Sequence, residues 1–238
     1  MGINTSVNLR LMMISADNIA QYGYEMSVQF SNFLFHLKSM QEYWKSQLYT
    51  DFVKGINKEI NKIGEIIKYF AETFPNKIVE KRNLYALADN EPPELRVFRK
   101  ANEFERIILK EQDNEFEFKE SAIQIRYNRI CDVFDKIKLN IKQIESEFLS
   151  ITWDGALAKA MKNEFEKEVE LCNKKILLIS KQLKEIITEQ KKAMKEIEED
   201  TTLGLEEIDE SNIKRKIAEL NFNTDMIEKS NNNWEDNN

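Results

Sequence analysis

Apolar residues in this chain recur at alternating steps of three and four over long distances. Those steps return side chains to one face of an α-helix packed on other helices. The first seam is Ile19, Tyr22, Met26, Phe30, Phe33, Leu37, Met40 and Trp44, with Leu34 and Phe35 widening it toward a further neighbour. Ser15 and Asp17 are candidate caps for its helix, which the pattern carries to Tyr43 and which leaves residues 1–12 as a lead-in. A break falls at Trp44-Lys45-Ser46, with Ser46 the next candidate cap. Val53, Ile56, Ile60, Ile63, Ile67, Phe70 and Phe74 then form a strict heptad seam. Pro75 interrupts it, and Asn76 restarts a turn that reaches Asp89. Asn90-Glu91-Pro92-Pro93 reads as a linker, followed by a helical segment over 94–111. A long helix to Ser150 carries Tyr127, Ile130, Phe134, Ile137, Ile141, Ile144 and Phe148. After Trp153-Asp154-Gly155 another runs to Asp200 with Met161, Phe165, Val169, Cys172, Ile176, Ile179, Leu183 and Ile186. Residues 205–229 read as a short amphipathic helix before a polar tail.

The two halves repeat. A shift of 109 residues places Trp44 on Trp153, Phe52 on Met161, Ile56 on Phe165, Ile60 on Val169, Ile63 on Cys172, Ile67 on Ile176, Phe70 on Ile179 and Phe74 on Leu183. Two long helices joined by a tight break form an antiparallel hairpin, and one hairpin cannot bury both of its seams. The predicted fold is therefore all-α: two tandem antiparallel helical hairpins packed as an elongated four-helix bundle, with a connecting helix and a short C-terminal helix. The expected divisions are a first hairpin over 1–90, a linker with its helical segment over 91–114, a second hairpin over 115–200, and a short helix and tail over 201–238.

Composition narrows the class. Six glycines and three prolines in 238 residues are too few for a β-sandwich or an α/β fold, which need many turns. The net charge of −7 is interleaved in sign, as on solvated helix faces, and no basic stripe with aromatics points to nucleic acid. No apolar run approaches the roughly 20 residues of a membrane span, so stable membrane insertion is not expected. The start has no secretory signal pattern, so any export would follow another route. His36 is the single histidine, which excludes histidine-based triads and multi-histidine metal sites. No phosphate-cradling glycine loop is present, and acid runs such as Glu198-Glu199-Asp200 read as solvated charge. No catalytic residue, metal or cofactor is expected, and an enzyme is disfavoured.

Trp153-Asp154-Gly155, set between two long amphipathic helices, resembles the W-x-G turn of the early-secreted-antigen family exported by type VII secretion. Glycine supplies the tight turn, Asp154 can cap the outgoing helix, and the indole closes the end of the hairpin core. Trp44-Lys45-Ser46 is a degenerate version with serine for glycine. The family also carries a Y-x-x-x-D export motif near the end of the second helix. Tyr85-Ala86-Leu87-Ala88-Asp89 matches it 41 residues after Trp44, whereas Met194 and Glu198 stand at the corresponding positions of the second half.

The resemblance covers residues 10–90 and 115–200. It implies a non-enzymatic protein, cytoplasmic before export and then secreted or at the cell surface by a signal-peptide-independent route. Its implied partners are a type VII secretion ATPase and other W-x-G proteins. It implies one composite recognition surface from Tyr85, Asp89, Trp153 and Gly155, with Trp44 at the equivalent turn. The chain would be a fused pseudo-dimer, monomeric or homodimeric. A cytoplasmic helical-bundle adaptor and an α-helical pore-forming toxin component are the competing classes, the latter requiring a long apolar segment that the chain lacks. Cys131 lies 22 residues before Trp153 and Cys172 lies 19 after it. In a hairpin turning there, they differ in height by about three residues, or roughly 4.5 Å. Both a cross-hairpin disulfide and two reduced thiols fit that spacing.

Overall fold

A computed structural model describes residues 7–109, 116–151 and 156–203. The protein is an all-α helical bundle, and its only β pairing among the described residues is one two-stranded ribbon. Helix α1 spans Leu9–Met40. It begins earlier than the Ser15 and Asp17 caps would place it, because the side-chain oxygen of Asn8 accepts the Leu11 N–H at 2.9 Å. Met12 and Met13 are buried, so the apolar seam extends back into the expected lead-in. Ser15 is itself fully buried, with its hydroxyl 3.4 Å from that of Ser150.

Strand β1, Trp44–Lys45, separates α1 from α2, Gln47–Lys68. Ser46 caps α2 as expected, its Oγ accepting the Tyr49 N–H at 3.2 Å. Pro75 does not break the chain into two helices. A π turn, Tyr69–Thr73, joins α2 directly to α3, Phe74–Ala88. The Phe74 N–H donates to the Tyr69 carbonyl five residues back, and proline has no N–H to offer Ala71. The Asn76 side chain donates to the Glu72 carbonyl at 2.8 Å. Gly23 of α1 makes this turn packable: a Cβ there would lie 2.4 Å from the Ala71 nitrogen and 2.5 Å from the Phe70 carbonyl carbon.

Helix α3 ends in a Schellman turn. The Glu91 N–H donates to the Ala86 carbonyl at 2.8 Å and the Asn90 N–H to Leu87 at 3.3 Å. Asn90 takes the left-handed conformation this requires, with φ of 58°.

The predicted connecting helix over 94–111 is corrected by the structure. Residues 91–109 run as a strap without helix, turn or bend. The reason is one of length. Within its compact unit the strap is fastened at Asn83 by Glu94, and the Phe104 ring lies against Gly64. Gly64 and Asn83 are separated by about 29 Å of helix, and ten strap residues span about 15 Å as a helix but about 33 Å extended. Only the extended chain reaches. Beyond it come β2, Glu117–Phe118, then α4, Glu120–Ser150, and α5, Ala156–Leu203.

The chain forms two compact units that cut across the sequence halves. The first comprises residues 1–35, 60–106 and 129–177, and the second 36–59, 107–128 and 178–238. Both take segments of α1, α2, α4 and α5. The first unit is built on aromatic contacts: Phe33 against Phe134 at 5.0 Å, and a cluster of Phe70, Phe74, Phe148 and Phe165 with centroids 4.6–5.8 Å apart. The second is built around Trp44. Every seam pair matched by the 109-residue shift behind the tryptophans is buried. The short helix expected over 205–229 lies outside the described residues.

Candidate functional site

Tyr85 and Asp89 sit in the last turn of α3 and at its cap, within the first unit. Tyr85 is half-buried and Asp89 is exposed. The Asp89 N–H donates to the Tyr85 and Ala86 carbonyls at 3.2 and 3.1 Å, so the motif's two ends are tied by the helix itself. The Asp89 carboxylate has no ion-pair partner among the described residues. It lines an open cleft of about 850 Å³ with Asn8, Arg10, Asp17, Arg82 and Arg96.

Arg82 organises the cleft wall. Arg82 is 5% exposed; its guanidinium donates to the Pro92 carbonyl at 3.0 Å and to Glu91 at 3.4 Å, and forms an ion pair with Glu94 at 3.1 Å. Buried charge of this kind must be paired, and here both carboxylates come from the chain just past the Schellman turn. The pairing holds that chain against the helix that carries Tyr85. Asn83 completes the join. Its side chain accepts the Glu94 N–H at 2.9 Å and donates to the Glu94 carbonyl at 2.7 Å, a two-bond grip on one residue's main chain.

Trp44 is not exposed on the surface. The ring is fully buried in the second unit. Trp44 pairs antiparallel with Phe118, and Lys45 with Glu117. The indole N–H donates to the Gln190 side-chain oxygen at 3.3 Å, and the ring packs 5.1 Å from Tyr49 and 5.5 Å from Phe118. The Tyr49 hydroxyl donates to the Leu37 carbonyl, and burial pushes its pKa up. Trp44 is a core plug with its one polar atom satisfied. Trp153 and Gly155 lie outside the described residues, as does the turn that holds them.

The two cysteines are both free, which sets aside the disulfide. Cys172 is on the buried seam, whereas Cys131 follows the buried Ile130 by one residue, about 100° around the helix, and is half-buried. Burial, then the neighbouring Glu168 carboxylate, pushes the Cys172 thiol up to about 12, so it is inert as a nucleophile.

Sequence reasoning passed over a polar cluster at the π turn. Lys77 pairs with Glu164 and lies 5.8 Å from the Tyr69 ring centroid. Burial first, then Glu164 and Glu168, push the Tyr69 hydroxyl up, and burial with Glu164 raises Glu168. The signal was Pro75 inside an unbroken heptad seam, which a π turn accommodates and a helix break does not. Among the described residues no group of three or more acid, histidine or cysteine side chains is arranged to hold a metal ion. Comparison with protein-family models, with curated proteins and with solved structures gave no match.

Proposed function

We propose that this protein acts by recognition rather than catalysis, as a substrate or escort of a type VII secretion system read at the C-terminal end of α3. The observation that carries the reading is Asp89: an exposed carboxylate without an ion-pair partner among the described residues, one turn beyond Tyr85, on a helix end rigidified by the Schellman turn and by Arg82. A ring and a carboxylate at i and i+4 form one compact docking feature. Arg10, exposed along the same cleft, offers a complementary contact to an incoming partner. The secretion ATPase would bind this end, and Trp153 with Gly155 would complete the surface. No helix among the described residues is long and apolar enough to cross a membrane, which weighs against a pore-forming role for them.

The test is export from a host that carries such a system. Tyr85→Ala and Asp89→Ala are each expected to lower the exported fraction at least ten-fold, with thermal midpoints within about 2 °C of the parent. Undiminished export of both folded variants would sink the reading and leave the cytoplasmic adaptor in its place.

A further inference from the structure

The strap is held at both ends of one stretch and open between them. Asn83 grips the Glu94 main chain, and the Glu72 carboxylate accepts the Ala101 N–H at 3.0 Å. Between these anchors, from Leu95 to Lys100, the main chain makes no hydrogen bond among the described residues. Leu95 and Val97, two apart and so on one side of an extended chain, are 91% and 98% exposed. An extended segment with unpaired N–H and C=O groups and an outward apolar pair is a template for another strand. Because both ends are already anchored, most of the ordering cost of presenting that template has been met on folding.

Charge selects the partner. Residues 95–100 contain Arg96, Arg99 and Lys100 and no acid. Arg96 is shared between Asp17 at 3.4 Å and Glu94 at 3.6 Å. The Arg99 guanidinium lies over the Tyr24 ring at 3.7 Å, and neither it nor Lys100 has a carboxylate partner among the described residues. A second copy is a poor occupant: antiparallel pairing of 95–100 with itself sets Arg96 opposite Arg99 twice, and like charges placed directly opposite destabilise a ribbon. We propose that strap residues 95–100 are a strand-docking site for an extended, acidic partner segment whose alternate apolar residues cover Leu95 and Val97. Arg96 also lines the cleft of Asp89, but the proposal is carried by the strap's own main chain, apolar pair and charge and does not rest on the export reading.

The experiment titrates the full chain with a labelled synthetic peptide of alternating glutamate and valine, reading fluorescence anisotropy and amide hydrogen exchange. Binding is expected to slow exchange at 95–100 at least ten-fold and to weaken with added salt. Val97→Pro removes one main-chain donor while leaving both anchors, and should weaken binding at least ten-fold. Leu95→Ser with Val97→Ser, at side chains that are almost wholly exposed, should do the same with the fold retained. Arg99→Glu with Lys100→Glu should reverse the preference toward a lysine–valine peptide. Three results overturn the proposal: no protection of 95–100, equal binding of the lysine–valine peptide by the parent protein, or unaltered binding by the folded serine variant. Protection of 95–100 that grows with protein concentration alone would also overturn it, by making a second copy the occupant.

Discussion

A single absent methyl group sets how closely α1 approaches the π turn. Gly23 faces backbone atoms of Phe70 and Ala71 rather than movable side chains, so a Cβ there has nothing flexible to displace. Gly23→Ala is expected to cost about 3 kcal/mol or more, the upper range for overpacking a rigid site, as read by denaturant unfolding. A variant as stable as the parent would mean that the helix and the turn do not meet so closely. Gly64 is a contrasting case. A Cβ there would come within 3.0 Å of the Phe104 ring, an aromatic side chain that can shift by a few tenths of an ångström. Neither role is written in the sequence around it, since both glycines sit in the middle of helical patterns with nothing to set them apart.

The elements were legible wherever the pattern was long. The seams from Val53 to Phe74 and from Met161 to Ile186 are buried at every predicted position, and Ser46 caps the helix it was expected to cap. Tyr127 and Tyr22, at seam positions, are only half-buried. The strap failed as a prediction because helix-forming residues there are overridden by the distance the chain has to cover. Its attachment is therefore made of side chains gripping main chain. Asn83→Ala is expected to lower unfolding free energy by about 1–2 kcal/mol, the cost of two lost hydrogen bonds partly made good by water. It should also speed amide exchange at Glu94 at least ten-fold while amides in the middle of α4 stay as protected as before. Unchanged exchange at Glu94 would show that Arg82 and its carboxylates hold the strap alone.

The stability of the whole molecule carries a pH signature from Glu168. Burial, then Glu164, raise its pKa above the ordinary 4.5, against the pull of Lys77. The native protein therefore takes up this proton before the unfolded chain does as pH falls. At neutral pH the ionised form disfavours the fold, and that penalty fades as pH drops through the raised value toward the ordinary one. Glu168→Gln is accordingly expected to melt higher than the parent at pH 7, with the gap narrowing on acidification. Thermal midpoints measured across that range check the sign, and a variant that melts lower at pH 7 would contradict it. Glu189, raised by burial and by Glu185, pulls in the same direction.

The sequence by itself determined the all-α class, the faces that are buried, the Ser46 cap and the position of Tyr85 and Asp89 at a helix end. Those features are periodic or local, and a helix returns its side chains to one face whatever its neighbours are. Only the tertiary structure decided that Trp44 is a plug bonded to Gln190, that Pro75 is absorbed by a π turn against Gly23, that the cysteines stay apart, and that the connecting segment runs extended with Leu95 and Val97 turned outward. Each of these joins residues distant along the chain. Periodicity says that a face will be covered, but what covers it depends on distances in space that no local pattern encodes.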